Sequence, residues 1–300
     1  MSDLLAEWHE RARARPKRIV LADRGDERAA VAADRLAREG LAEPVVLGRD
    51  LGGLDDVDHE GVDAVVRRLQ ASERSVDLRD PVVIGAVLVK AGWADGCVGG
   101  ASRPTADVIR AGLRVMGTAP GVQVVSSAFF FQLPDGRRIV YGDCGVVPDP
   151  DPEQLAAIAI AAATTYRQLA GDEPRVAMLS FSTKGSAEHP RVDRVRAGTE
   201  IARRLAPHLA VDGELQFDAA WDPDVAVAKA PGSPVAGRAN VFVFPDLDAG
   251  NIAYKITERL ARARAFGPLI QGLDGVLHDL SRGCSVDDIV NVCVIAALQS

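Results

Sequence analysis

The residues with the most chemical promise lie in DLSRGCSVDDI, residues 279–289. Ser285 and Asp288 stand three apart in the order S-x-x-D ahead of an apolar run, the pattern of a helix N-cap and its N3 partner. Taken alone, that is a capping box and nothing more. Ser281 and Arg282 just upstream allow a second reading. A hydroxyl, a guanidinium and the unpaired N–H groups of a helix start would together hold an oxyanion or a phosphate. A second candidate is PDLDAGNIAYK (245–255), which follows an apolar run at the strand end where open α/β sheets place ligands. Asn251 and Lys255 are four apart, so they share one helix face and could hold a carbonyl or phosphate oxygen. The competing reading is that Asp248 or Gly250 only supplies a turn and cap.

Two further loops carry weaker signals. LSFSTKGSAEHP (179–190) sets Ser180, Ser182, Thr183, Lys184, Gly185 and Ser186 in sequence, able to cradle an anion. It is no P-loop, because G-x-x-x-x-G-K-[ST] is absent. GCVGGASRPTADVIR (96–110) is Gly-rich, opens a helix and carries Arg103 and Arg110, but it does not fit G-x-G-x-x-G. No G-x-S-x-G elbow is present, which argues against an α/β-hydrolase. The five histidines lie far apart without ligand spacing and read as surface residues, and no metal set is expected. Cys97, Cys144, Cys284 and Cys293 lack CxxC spacing and read as reduced packing thiols.

These loops need a framework, and the chain supplies one. Short apolar runs alternate with helical patterns over 300 residues, implying largely parallel sheets covered by helices. KRIVLAD (17–23) reads as a buried strand, and DERAAVAADRLAREG (26–40) as a helix with Val31 and Leu36 facing inward, ending at Gly40. PVVLGRD (44–50) is a strand, and residues 51–80 are polar and weakly periodic. A helix over 81–96 leads to CVGG, and TADVIRAGLRVMG is a helix. VQVVSSAFFFQL and RRIVYGDC flank a PDG turn as a hairpin. Asp151, Pro152 and Gln154 open the next helix as N-cap, N1 and N3. Strands at 175–182, 240–246 and GPLIQGL then alternate with three helices, the last over 285–299.

Composition narrows the classes of function. The net charge of −7 argues against a nucleic-acid partner. Only five of the 35 basic residues are lysine, so a polyphosphate ligand must be met by a local arginine cluster. No apolar run is long enough to span a bilayer, and the first residues read as an amphipathic helix with Leu4, Leu5 and Trp8 on one side rather than a signal peptide. A cytoplasmic, two-lobed α/β protein is expected, its ligand between the lobes.

The ordered series ADG(x)8TADVIR, TAPGVQVVSSAFFF, GDCGV, MLSFSTKGSA, DGELQFDAAWDP, PVAGRANVFVFPDLDAGNIAYK, GPLIQGL and DLSRGCSVDDIVN resembles the phosphate acetyltransferases, within a wider family that includes phosphate butyryltransferases. The likeness runs from about residue 81 to the end and is dense after 140. The resemblance implies an isocitrate/isopropylmalate dehydrogenase-like fold with its active site in the interlobe cleft, usually as a homodimer. Residues 1–130 plus 273–300 would form one lobe and 131–272 the other.

The implied reaction is acetyl phosphate plus coenzyme A giving acetyl-CoA and phosphate, reversibly, with coenzyme A a substrate and no resident cofactor. The resemblance makes Asp288 the base for the thiol proton, with Arg282 and Ser281 holding phosphoryl and carbonyl oxygens. It implies substrate or coenzyme contacts at Gly100, Thr105, Ser182, Thr183, Lys184, Asn251, Lys255, Gln271, Gly283 and Cys284. Butyryl or other short-acyl transfer is the alternative, ahead of a non-catalytic or dehydrogenase relative of the same fold. The sequence departs from the family's pattern at Gly99, where a serine is usual, at Arg103-Pro104-Thr105, and in the short ASERSVDLRD segment, so no arginine is assigned to the coenzyme phosphates.

Overall fold

Strands and helices alternate through the computed structural model, which describes residues 4–72 and 76–300. Met1 to Asp3, ahead of the first helix, and Glu73, Arg74 and Ser75 in the ASERSVDLRD segment lie outside the described residues. In chain order the elements begin with α1 (Leu4–Ala14), β1 (Arg18–Leu21), α2 (Glu27–Arg38), β2 (Glu43–Val46), α3 (Glu60–Gln70), α4 (Pro81–Lys90), β3 (Gly96–Gly99) and α5 (Thr105–Val115). Then come β4 (Ser126–Gln132), β5 (Arg138–Gly142), α6 (Pro152–Ala170), β6 (Arg175–Leu179), α7 (Pro190–Leu205), β7 (Ala210–Leu215), α8 (Phe217–Trp221) and α9 (Pro223–Lys229). The chain closes with β8 (Val241–Val243), α10 (Leu247–Leu260), β9 (Arg264–Gln271), β10 (Val276–Asp279) and α11 (Val286–Gln299).

The chain divides into two units, Met1–Gly121 with Phe266–Ser300, and Val122–Ala265. The boundary falls before the β4–β5 hairpin, whereas the sequence-based limit at 130 falls inside β4. A hairpin whose strands exchange hydrogen bonds from Ala128↔Gly142 to Gln132↔Arg138 belongs to one unit as a whole.

The first unit holds a parallel sheet in the order β10-β3-β1-β2. Its covering helices begin where capping chemistry tells them to. Asp80 accepts from the N–H groups of Val82 and Val83 at 2.8 and 3.2 Å, and Pro81 occupies N1, so α4 starts there. Residues Val82–Leu88 of α4 are all buried. Gly85 of this helix allows close packing, since a Cβ there would lie 2.3 Å from Cys97 Sγ on β3. The expected inward Val31 of α2 is instead 55% exposed; Ala29, Ala32, Ala33 and Leu36 form the buried face. Three small side chains let α2 lie close to its neighbours, and Val31 falls on the opposite side of the turn.

The second unit is built on a mostly parallel sheet in the order β7-β6-β8-β5-β4-β9, with β9 carrying the chain across the boundary. Its core is aromatic: Tyr141 meets Phe242 and Phe244 edge-on at centroid distances of 5.8 and 5.1 Å. Tyr254 stacks on Phe129 at 4.0 Å and seats α10 on the sheet. Gly250 is no cap, because α10 is capped by Asp246. A Cβ at Gly250 would lie 2.2 Å from the carbonyl of Asp143, so the glycine permits the helix's approach.

Several elements were not foreseen from sequence: α3 within the polar 51–80 stretch, α8 and α9, and the strands β7 and β10. His278, expected at the surface, is 2% exposed. Its Nδ1 accepts from Ile270 N–H, Nε2 meets Gln299, and burial lowers its pKa to about 4, leaving a neutral bridging ring.

Candidate active site

Three loops leave the C-terminal ends of the first unit's parallel strands: 22–26 after β1, 100–104 after β3 and 280–285 after β10. That edge is where parallel α/β sheets bind ligands. Leu280 N–H donates to the carbonyl of Gly99 at 3.0 Å, which sets the last two loops side by side. Within the third, Cys284 N–H closes a turn onto the carbonyl of Ser281 at 2.9 Å, and Gly283 N–H donates to Ser281 Oγ at 3.3 Å. Ser281, Arg282 and Gly283 are exposed at this turn.

The turn runs straight into a reciprocal capping box. Ser285 N–H and Oγ–H both donate to Asp288 Oδ2 at 2.8 Å, while Asp288 N–H donates to Ser285 Oγ at 3.2 Å. Asp288 is exposed, and its Oδ1 has no hydrogen-bond partner among the described residues. One carboxylate oxygen is therefore used by the cap and the other faces outward.

Behind these loops lies a buried carboxylate pair, Asp23 (4% exposed) and Asp279 (1% exposed). Asp23 Oδ1 accepts from Gly100 N–H at 3.2 Å and from Ser102 Oγ at 3.4 Å. Thr105, the first residue of α5, donates through its hydroxyl to Asp279 Oδ2. Asp279 Oδ1 is buried without a hydrogen bond among the described residues. Gly100, at φ +118°, covers that oxygen; a Cβ there would stand 2.1 Å from it, so the position requires glycine. Gly100 and Thr105, expected as substrate contacts, thus also tie the Gly-rich loop to the end of β10.

Burial pushes the Asp279 carboxyl up to about 6, and the nearby Asp23 charge adds to that against the opposing Thr105 hydrogen bond. The folded state keeps a proton that the unfolded chain releases, so this group's contribution to stability falls as pH rises from about 4 through about 6. Asp279→Asn is expected to remove that slope. Urea unfolding at pH 5 and pH 8 should show the parent losing about 1 kcal/mol more than the variant across the interval. Parallel losses would remove Asp279 as the titrating group.

Cys284 is buried beneath the turn, and burial raises its thiol pKa despite the Arg28 guanidinium 3.7 Å away. It packs and does not present a thiolate. Gln271 lies buried at the end of β9 in the same unit. Arg103 is committed to Asp80 through two hydrogen bonds of 2.8 and 3.0 Å.

The remaining candidates lie in the second unit, at two strand ends. Asn251 Nδ2 donates to the carbonyl of Cys144 at 3.0 Å, and Lys255 Nζ donates to Asn251 Oδ1 at 2.5 Å, so the two share a face of α10 as their spacing requires. After β6, the buried Ser182 donates to Glu214 Oε1 at 2.8 Å, as does Gly185 N–H. Burial works against ionisation of Glu214, but hydrogen bonds from Arg196, Gly185 and Ser182 outweigh it and hold the carboxyl near about 2. Thr183 Oγ1 accepts from Gln216 N–H at 2.9 Å. Lys184, at φ +48°, gives its ammonium to buried Asp212 at 2.5 Å.

A cavity of about 560 Å³ opens beside Lys184, lined also by Arg196, Arg203 and Glu214. Its cations are already paired, Lys184 and Arg203 with Asp212 and Arg196 with Glu214. The anion cradle expected around Lys184 is thus internally neutralised.

Sequence reasoning gave no role to Asp23 or Arg28, nor to Asp279 at the head of the segment 279–289. The usable signal was a carboxylate at a strand's C-terminal end ahead of a Gly-containing loop, but β10 itself went unread.

The family model described as phosphate acetyl/butaryl transferase matches residues 3–297. A phosphate acetyltransferase of Paracoccus denitrificans is 47% identical over 311 residues, covering 97% of this chain and 98% of that protein. A phosphotransacetylase crystal structure from Streptococcus pyogenes superposes with a TM-score of 0.90 at 42% identity, covering 100% and 99% of the two chains. A Salmonella typhimurium protein described as a 4-hydroxythreonine-4-phosphate dehydrogenase, at 13% identity and TM-score 0.54 over 95% and 99% of the chains, shares the fold alone. With the match running nearly end to end and the loops at the strand ends in place, this chain belongs to the phosphate acetyl/butaryl transferase family.

Proposed function

We propose that the protein is a phosphate acetyltransferase that moves an acetyl group reversibly between acetyl phosphate and coenzyme A by direct attack of the coenzyme thiolate. The observation that carries the mechanism is the exposed Ser281–Arg282 turn running directly into the Ser285–Asp288 capping box, so that a cation, a hydroxyl and a carboxylate with one unbonded oxygen lie within eight residues at the start of one helix. In the forward direction Asp288 takes the thiol proton and sulfur attacks the acetyl carbonyl carbon. The C–S bond forms as the carbonyl π pair moves onto oxygen; when that pair returns, the bond from the acyl carbon to the oxygen bridging to phosphorus breaks, and phosphate leaves with the electron pair of that bond. The proton passes on to phosphate or solvent. Arg282 neutralises charge on the departing phosphate, and Ser281 donates to the carbonyl oxygen as it becomes an oxyanion.

Acetyl phosphate already carries a good leaving group, so the chemistry needs no enzyme nucleophile. Coenzyme A is a substrate in this reading. Gly100, Thr105, Gln271, Gly283 and Cys284 would shape the site in the first unit. The enzyme is taken to act in the cytoplasm as a homodimer.

The test is thioester formation from acetyl phosphate and coenzyme A, followed by absorbance in the presence of a chelator. Among the described residues no three His, Cys, Asp or Glu side chains gather as a ligand set, so turnover is expected to persist. Turnover lost on metal removal and restored by a divalent ion would defeat the metal-free mechanism. Repeating the assay with butyryl phosphate separates acetyl from longer-acyl preference.

A further inference from the structure

We infer that Arg28, in the first turn of α2, is a positioning residue that sets the Ser281–Cys284 turn for catalysis by tethering three backbone carbonyls on two loops. Arg28 Nη1 donates to the carbonyls of Arg282 at 3.2 Å and Cys284 at 2.8 Å, and Nη2 donates to the carbonyl of Ala101 at 3.2 Å. The guanidinium therefore clasps the turn after β10 and the Gly-rich loop after β3 at once. Asp26, the N-cap of α2, holds the clasp: it accepts from Arg28 Nε at 3.0 Å and from Nη2 at 2.6 Å.

The placement is unfavourable for the helix itself, since a cation in the first turn opposes the helix dipole. Its gain lies in the loops. The carbonyls of Arg282 and Cys284 are drawn to one side of the turn, while the Ser281 and Arg282 side chains stay exposed. Only a planar fork with several donors can serve three acceptors and a carboxylate together; a lysine ammonium cannot. A second bond from α2, Arg35 to Asp287 in the first turn of α11, joins α2 to that helix but reaches neither loop's carbonyls. It supplies a control.

This inference rests on the proposed role of the Ser281–Arg282 turn, and two readouts separate them. In Arg28→Ala, kcat for thioester formation is expected to fall between about 10-fold and 100-fold, the scale of a misplaced catalytic group. Guanidinium at tens of millimolar should restore a substantial part of it, while sodium chloride at equal ionic strength should not. Arg35→Ala should lose thermal stability but keep kcat within about 2-fold. Hydrogen exchange of the Gly283 and Cys284 amides should quicken in Arg28→Ala and stay unchanged in Arg35→Ala. The positioning role is overturned by unaltered exchange at those amides, whatever the assay gives, and equally by an Arg28→Ala kcat near the parent's or a loss that guanidinium leaves untouched. If the parent itself forms no thioester, the functional reading falls, and the exchange measurement alone decides whether Arg28 sets the turn.

Discussion

Asp288→Asn should lower turnover by roughly 10² to 10⁴ while leaving the fold nearly as stable as before. The geometry makes this variant unusually clean. Asp288 spends Oδ2 on Ser285 N–H and Oγ–H, and its Oδ1 makes no bond among the described residues. An asparagine can turn its amide oxygen to the cap and keep both donors satisfied, so the expected stability loss is about 1 kcal/mol or less. What it cannot do is accept a proton from the coenzyme thiol. With a thiol pKa near 8.5, raising the pH supplies thiolate from solvent, and the variant's rate should climb towards the parent's. The measurement is the pH–rate profile of both proteins, with melting temperature as the control for folding. An asparagine variant that is destabilised yet turns over normally would return Asp288 to a purely capping role.

Arg282→Lys is expected to cost about 10² or more in turnover, taking one lost charge-stabilising contact as about 3 kcal/mol. The side chain is exposed at the turn, while its own carbonyl is held by Arg28 at 3.2 Å. Lysine keeps the charge but gives up the planar, two-pronged fit to a phosphate. Most of the loss should therefore appear in kcat, since charge accumulates on the phosphate as it departs. A folded variant with near-parental kcat and KM for acetyl phosphate would take Arg282 out of the site.

Much of the local chemistry was legible because its partners lie close along the chain. The Ser285–Asp288 and Asp151–Gln154 capping boxes span three residues, and Asn251 and Lys255 one helical turn. Such contacts follow from helix geometry alone. The alternation of strands and helices was readable for the same reason, wherever an apolar run was long enough to declare itself.

The two missed strands share one cause. The strand β10 reads VLHD and β7 reads AVDGEL, with buried Asp279, Asp212 and Glu214 where a strand signature calls for apolar residues. Each carboxylate has a partner from distant chain: Thr105 for Asp279, Lys184 for Asp212, Arg196 for Glu214. His278 became a core bridge through Ile270 and Gln299. By itself, then, the sequence determined the caps, the turns, the α/β alternation and the order of motifs that marks the family. Only the tertiary structure decided that Arg28 meets carbonyls 73, 254 and 256 residues away, and that Gly100 lies against Asp279. Those contacts come from the pairing of β10 with β3 and the packing of α2 against α11. No short-range pattern encodes such a pairing, because its energy is collected only when the whole sheet closes.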